Sequence, residues 1–219
     1  MKKFLFWLVM FFCFSAAAYK CFFWLDHKSE IREQTKNRSI TRLSNEEISL
    51  IQEGDFILRR GFGFFSDYVS EHLNDGDIDV THAGIIIKEN GDLFVIHSLS
   101  SDVSDFDGIQ KQSLQDFLLY CAPEKIIVTR TKHADTVCGG KIAERAKYYL
   151  SQKIPFDHNG KFDDDNELYC TELIWKILEK DLKVASPPTL AEEREKFFYS
   201  MMPMYSTDYF DIIINQYSN

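Results

Sequence analysis

The sequence lacks closely spaced cysteine pairs, an excess of basic residues and any visible internal repeat. Its five cysteines are scattered along 219 residues, and this spacing excludes a zinc ribbon and a paired redox motif. The formal net charge is -9 at pH 7, and an acidic surface repels the phosphates of nucleic acids. We therefore expect no nucleic-acid partner.

The composition that remains is that of an ordinary folded protein. Hydrophobic residues make up 45% of the chain and charged residues 27%, which are usual values for a globular domain. The body of the chain is long enough to bury one substantial core. We therefore expect a single folded domain with little disorder.

An apolar segment opens the sequence. Two lysines precede an apolar run from Phe4 to Ala18 that ends in three alanines, which is the order of a secretory signal. The stretch from Tyr19 to Leu25 extends this run toward the roughly 20 residues that span a bilayer. We predict that residues 1–25 are a signal peptide or a membrane anchor. The rest would then be exported, as a periplasmic, secreted or envelope-anchored protein.

The remainder of the chain predicts a linker and an α+β domain. Residues 26–42 are polar and basic with little apolar periodicity, which is typical of a linker before a domain over residues 43–219. A β-branched run from Val80 and an apolar run from Leu93 flank the turn residues Asn90 and Gly91, so we predict a hairpin. We also predict strands over 55–59, 125–131 and 212–214, helices over 64–73, 113–120, 135–151 and 169–180, and a polar loop between the hairpin and residue 113.

Three residues are candidates for nucleophilic catalysis. Cys170 stands at the start of a predicted helix, where the helix dipole and a nearby imidazole lower the pKa of a thiol. His82 and His97 lie on the two strands of the predicted hairpin, which would bring them side by side. We predict Cys170 as the nucleophile, His82 as its base and His97 as the group that orients His82.

Five pieces of the sequence carry a family resemblance. In chain order they are Gly54–Leu58, Thr81–Ile86, Val95–Ser98, Pro155–Asp157 and Tyr169–Trp175. Together they resemble the YiiX/YebB-like cysteine hydrolases, a circularly permuted branch of the papain-like NlpC-type amidases. The resemblance implies a permuted papain-like fold, with an antiparallel sheet or barrel packed against helices, and the three catalytic roles given above. It also implies an amide substrate, such as a peptidoglycan fragment, another peptide or a small amino-acid amide.

His97 departs from the pattern of that family and leaves other functions open. Members often carry an acid at this position, whereas the related lecithin retinol acyltransferase branch uses histidine. A membrane-associated, thioester-forming lipid acyltransferase or phospholipase is therefore the alternative enzyme, with a lipid as its substrate. A tethered binding domain without turnover is the non-enzymatic alternative. Tyr169 is expected to flank the substrate pocket or to contribute its backbone to an oxyanion site.

No metal or cofactor is expected. Zinc bound by His82, His97 and Cys170 would use acceptable ligand types, but their spacing matches no compact zinc motif. The acidic run 163–165 is most simply a solvated loop. A disulfide between Cys121 and Cys138 is compatible with an oxidising space, although buried free thiols are the simpler expectation. The oligomeric state does not follow from the sequence.

Overall fold

The computed structural model describes residues 2–74, 76–132, 139–161 and 165–218. Its centre is an antiparallel sheet of six strands in the order β4-β3-β2-β1-β5-β6. The strands are β1 (Phe56–Arg59), β2 (His82–Glu89), β3 (Asp92–Leu99), β4 (Gly108–Ser113), β5 (Ile126–Thr131) and β6 (Phe210–Asn215). The helices are α1 (Lys2–Lys36), α2 (Asn45–Leu50), α3 (Gly63–His72), α4 (Leu114–Leu119), α5 (Gly139–Gln152), α6 (Cys170–Trp175) and α7 (Ala191–Tyr199).

The predicted hairpin is confirmed as β2 and β3. Glu89 pairs with Asp92 at its closed end. The two residues between them, Asn90 and Gly91, have φ angles of 54° and 97°. Two-residue hairpin turns need such positive φ angles, which Asn and Gly adopt at low cost. The turn residues therefore set the register that aligns the two strands.

The sheet has an apolar cluster on each face because side chains alternate along a strand. Phe56 and Leu58 face the larger cluster, which includes apolar side chains of α5, α6 and α7. Ile57 faces the smaller cluster, which includes Phe117 of α4. The sheet is open, with β4 and β6 at its edges. The predicted α+β fold, with an antiparallel sheet packed against helices, is confirmed.

Two elements lie where the sequence did not predict them. Strand β4 falls in the expected polar loop, and it is an edge strand in which only Gly108 and Ile109 are buried. Helix α7 is mostly polar and buries only Phe198. The helix predicted over 169–180 is α6 followed by a π-helical turn, Lys176–Asp181. The first residues of the helix predicted over 135–151 lie outside the described residues, which resume at the start of α5.

Helix α1 carries the apolar N-terminal segment and continues into the predicted linker. It is long and apolar enough to cross a membrane, and its position is also that of a signal sequence. Its later turns contact the domain: Phe65 N–H donates to Asp26 at 3.0 Å, the Phe23 and Phe65 rings lie 5.8 Å apart, and Tyr19 donates to Asp102. The boundaries at residues 25 and 42 stay predictions.

Candidate active site

The structure brings the two predicted histidines together on neighbouring strands. Nε2 of His82 lies 2.9 Å from Nδ1 of His97, and the rings meet edge to face at 77°. His97 is fully buried and His82 is 6% exposed. The Phe117 ring packs against both imidazoles, with centroids 5.9 and 5.4 Å away. Apolar packing therefore holds the pair in one arrangement.

Gly84 lets β2 approach β3 closely beside this pair. A Cβ atom at this position would lie 2.4 Å from Val95 Cγ1 and 3.3 Å from His97 Cβ. Both distances are shorter than ordinary van der Waals contact. A side chain larger than hydrogen would therefore displace the strand that carries His97.

Cys170 is held against the first residues of β2. The pairing of β2 with β3 ends at Ile85 and Ile96. Beyond that point the Ser98 hydroxyl donates to the Leu168 carbonyl at 2.5 Å, and the backbone N–H of Ala83 hydrogen-bonds to the Cys170 thiol. Cys170 is also the first residue of α6. The nucleophile predicted from sequence thus lies beside the strand residue that follows His82.

Burial keeps the thiol and the imidazoles neutral. Burial raises the pKa of Cys170, against hydrogen bonds from the N–H groups of Ala83, Thr171 and Cys170 itself. Burial also lowers the pKa of His82 well below 6.5, with the charges of Arg59 and His97 acting in the same direction. Near pH 7 Cys170 is therefore a thiol and His82 a neutral imidazole. In the tautomer in which Nε2–H of His82 donates to His97, Nδ1 of His82 is the nitrogen that can accept a proton.

His97, the hydrogen-bond partner of His82, is itself a weak base. Burial, followed by the Arg59 charge, lowers the pKa of His97 to about 3, against a hydrogen bond to the Gln112 side chain. His97 Nε2 nevertheless has no hydrogen bond of ordinary geometry to a described residue. His97 can therefore act on His82 as a neutral hydrogen-bond partner and not as a counterion.

Arg59 is a site residue that the sequence reasoning missed. It pairs with His82 in the register of β1 and β2, so their side chains share one face of the sheet. It is 6% exposed, donates to the Tyr120 carbonyl and lies over the Phe117 ring at 5.0 Å. An arginine that ends the apolar strand Phe56–Leu58 was the only local signal.

A cleft of about 930 Å³ opens over these residues. Tyr169 is 7% exposed and stacks on Tyr199 with centroids 5.2 Å apart. It lies on the wall of the cleft, whereas His97 lies behind His82 and does not line it. Residues that share the lining include Asp26, Glu30, Arg59, His82, Tyr169 and Cys170.

Asp157, the acidic run and Cys121 were also singled out in the sequence, and none of them is part of the proposed catalytic group. The Asp157 carboxylate accepts N–H groups of the loop that follows it, including Gly160 at 2.8 Å. Of the acidic run, Asp165 pairs with Lys176, and 163 and 164 lie outside the described residues. Cys121 is buried as a free thiol. Cys138, the other cysteine of the possible disulfide, lies outside the described residues.

The sequence matches the model of a known protein family. A family model described as "Permuted papain-like amidase enzyme, YaeF/YiiX, C92 family" matches residues 51–197, which is more than half of the chain. The chain belongs to this family. The C92 family match confirms the permuted papain-like fold inferred from the sequence.

One solved structure that is similar to this chain is of a protein named in the family description. The crystal structure of metalloprotein yiiX from Escherichia coli O157:H7 matches with a TM-score of 0.48 and 21% sequence identity. The match covers 60% of this chain and 66% of that one, just under two thirds of its length. No curated protein matches this chain.

The candidate zinc ligands do not fit a metal site. In the described ranges, no group of three or more His, Cys, Asp or Glu residues is placed to hold a metal ion. Nε2 of His82 and Nδ1 of His97 face each other at 2.9 Å, so these two nitrogens point at one another and not at a shared metal ion. Tetrahedral zinc binding needs ligands that converge on one ion. The word metalloprotein describes yiiX.

Glu30 at the cleft wall predicts a pH-dependent stability. Burial raises its pKa from 4.5 to about 7, against the Arg59 charge and with that of Asp26. A folded-state pKa above the unfolded value contributes stability below pH 4.5, which is lost as the pH rises through 7. Glu30→Gln should therefore raise the free energy of unfolding at pH 8 by up to about 3 kcal/mol, with little effect near pH 4.5. Denaturant unfolding of the full chain in detergent at both pH values measures this difference.

The matched control for Glu30 is Glu33 on the same helix. Its side chain is 40% exposed and lies 3.8 Å from Lys36, so it is well solvated. Glu33→Gln should change stability little and to the same extent at both pH values. Equal pH dependence for the two variants would contradict the assignment to Glu30.

Proposed function

We propose that this protein is a cysteine amidase in which Cys170 is the nucleophile, His82 the general base and His97 the residue that orients His82. The observation that supports this most strongly is the 2.9 Å contact between His82 Nε2 and His97 Nδ1. It leaves Nδ1 of His82 as the proton acceptor beside the strand amide that bonds to Cys170. Membership of an amidase family supports the reaction class.

The proposed reaction passes through a thioester. The Cys170 thiol gives its proton to Nδ1 of His82 while Sγ bonds to the amide carbonyl carbon. Backbone N–H groups at the start of α6 stabilise the resulting oxyanion. The C–N bond then breaks, and the leaving amine takes the proton from His82. Water, deprotonated by His82, hydrolyses the thioester and releases the carboxylic acid and the free thiol.

The proposed substrates are cell-wall peptides or small amino-acid amides. A cleft of about 930 Å³ lies within the range of about 300–1,000 Å³ that is usual for small-molecule sites. Helix α1 is compatible with a signal or an anchor. We therefore propose that the reaction takes place outside the cytoplasm, in the periplasm, at the envelope or after secretion.

The test is direct assay of the full chain in detergent. Peptidoglycan fragments and amino-acid amides should yield equal amounts of amine and acid by mass spectrometry, and Cys170→Ala should abolish this release. Cys121→Ala, which removes a buried thiol, is the matched control and should retain activity if it folds. If phospholipid vesicles release fatty acid while no amide is cleaved, the amidase proposal is wrong.

One observation favours a lipid substrate as the second candidate. Asp26, His27 and Glu30 of α1 line the cleft, so the helix that carries the apolar segment forms part of the site. A membrane anchor in this position would bring the cleft close to the bilayer surface. The second candidate is therefore a thioester-forming lipid acyltransferase or phospholipase that uses the same Cys170.

A binding domain without turnover is the non-enzymatic alternative. It would be favoured if Cys170 reacts with a thiol probe no faster than Cys121.

A further inference from the structure

Arg59 is a buried cation that makes no ion pair at contact distance with a described residue. Its Nε atom has no hydrogen-bond partner among the described residues. Over the same residues, no carboxylate lies within 4.0 Å of its guanidinium, whereas the neighbouring Arg60 contacts both Asp67 and Asp79. Buried charges are normally paired, because removing an ion from water costs several kcal/mol. A guanidinium left unpaired beside an open cleft is therefore suited to an anion that comes from outside the protein.

The position of Arg59 is fixed with respect to the candidate catalytic groups. It is the cross-strand neighbour of His82 and lines the same cleft as Cys170. Its donation to the Tyr120 carbonyl and its packing on Phe117 hold the side chain in place. Its charge is the smallest of the influences that oppose the burial-raised pKa of the Cys170 thiol, so its field reaches the sulfur.

The acidic residues of the cleft do not take the place of the missing anion. Asp26 accepts the backbone N–H of Phe65 at 3.0 Å. Glu30 lines the same cleft and feels the Arg59 charge, but the described residue at ion-pair distance from it is His27, at 4.0 Å. Both carboxylates belong to α1 and line the same cleft as Arg59, so an anion bound at Arg59 shares the cleft with them. Because these carboxylates repel other negative charges, the cleft suits a substrate with one small anionic group better than a partner with a broad acidic surface.

We propose that Arg59 forms a subsite for a carboxylate or phosphate group of the substrate, next to the bond that Cys170 attacks. The proposal rests on the proposed function and narrows its substrates to acyl compounds that carry an anionic group close to the scissile bond. Guanidinium groups bind carboxylate and phosphate through paired N–H donors. Arg59 would therefore select the substrate and set its register against Cys170.

The test compares an anionic and a neutral alkylating agent on the full chain in detergent. Rates of Cys170 modification by iodoacetate and by iodoacetamide are measured by peptide mass spectrometry, with glutathione as the unassisted thiol. The ratio of the iodoacetate rate to the iodoacetamide rate should exceed that of glutathione, and Arg59→Gln should lower it about tenfold or more. Arg60→Gln removes an equal charge from the next residue in the chain, which does not line the cleft, and should leave the ratio unchanged. A ratio that stays within twofold in Arg59→Gln overturns the proposal.

Two further arms keep the result interpretable. If Arg59→Gln fails to fold, Arg59→Lys, which keeps the charge but loses the paired donors, should lower the ratio to a smaller extent, and an unchanged ratio counts against the subsite. Sodium acetate and sodium phosphate at equal ionic strength should slow iodoacetate in the wild-type protein. The stronger competitor identifies the anion, and no slowing by either contradicts the proposal. Failure of the proposed function would appear separately, as an iodoacetamide rate that His82→Ala leaves unchanged.

Discussion

Replacing His82 with alanine should lower kcat/KM for amide cleavage by about 10²- to 10⁴-fold, which is the usual contribution of a general base. The pKa of Cys170 is raised by burial, so the thiol ionises little near pH 7 unless a base accepts its proton. Nδ1 of His82 is the ring nitrogen free for that role in the tautomer in which its Nε2–H donates to His97. The rate of Cys170 alkylation by iodoacetamide should fall in parallel with amide cleavage.

The matched control is His158, a second histidine on the wall of the same cleft. Its side chain is 45% exposed and lies 3.0 Å from Asp107, and among the described residues it makes no hydrogen bond, ion pair or ring contact with His82 or Cys170. His158→Ala should change kcat/KM little, and His97→Ala should give an intermediate loss because the base remains but is no longer oriented. The hypothesis is falsified if His82→Ala and His158→Ala have the same effect while both variants keep the wild-type circular dichroism spectrum.

The parts of the site that the sequence predicted depend on short-range signals. Asn90 and Gly91 specify the hairpin turn, and alternating apolar residues specify its strands. These two signals were sufficient to bring His82 and His97 onto adjacent strands, where they lie 2.9 Å apart. The start of a helix at Cys170 was similarly visible from the apolar spacing after it.

The parts that were missed depend on contacts between distant segments. Arg59 ends an apolar strand, and only the β1–β2 register places it opposite His82. The hydrogen bond between Ala83 N–H and Cys170 joins β2 to α6 and has no local signature. Strand β4 was missed for a different reason: an edge strand has one paired side, so its polar residues resemble those of a loop.

Replacing Trp175 with alanine should destabilise the domain by about 3–5 kcal/mol, the usual cost of removing a large buried aromatic side chain. Trp175 is the last residue of α6, the helix that begins with Cys170, and it is fully buried. Its ring packs on those of Phe197, Tyr209 and Phe210 at centroid distances of 4.6, 5.3 and 5.7 Å. The cavity left by alanine would therefore open between α6, α7 and β6.

The conservative variant Trp175→Phe separates ring packing from hydrogen bonding. The indole Nε1 of Trp175 is buried and has no partner in the part of the chain that the structure describes, so phenylalanine loses no hydrogen bond and keeps an aromatic ring in the cluster. Its cost should be clearly smaller than that of alanine, as measured by denaturant unfolding followed by circular dichroism. Equal stability of the alanine, phenylalanine and wild-type proteins would mean that α6 is held by other contacts. Because the sulfur of Cys170 is positioned by this helix, a loss of stability at Trp175 should also lower the rate of Cys170 alkylation by iodoacetamide.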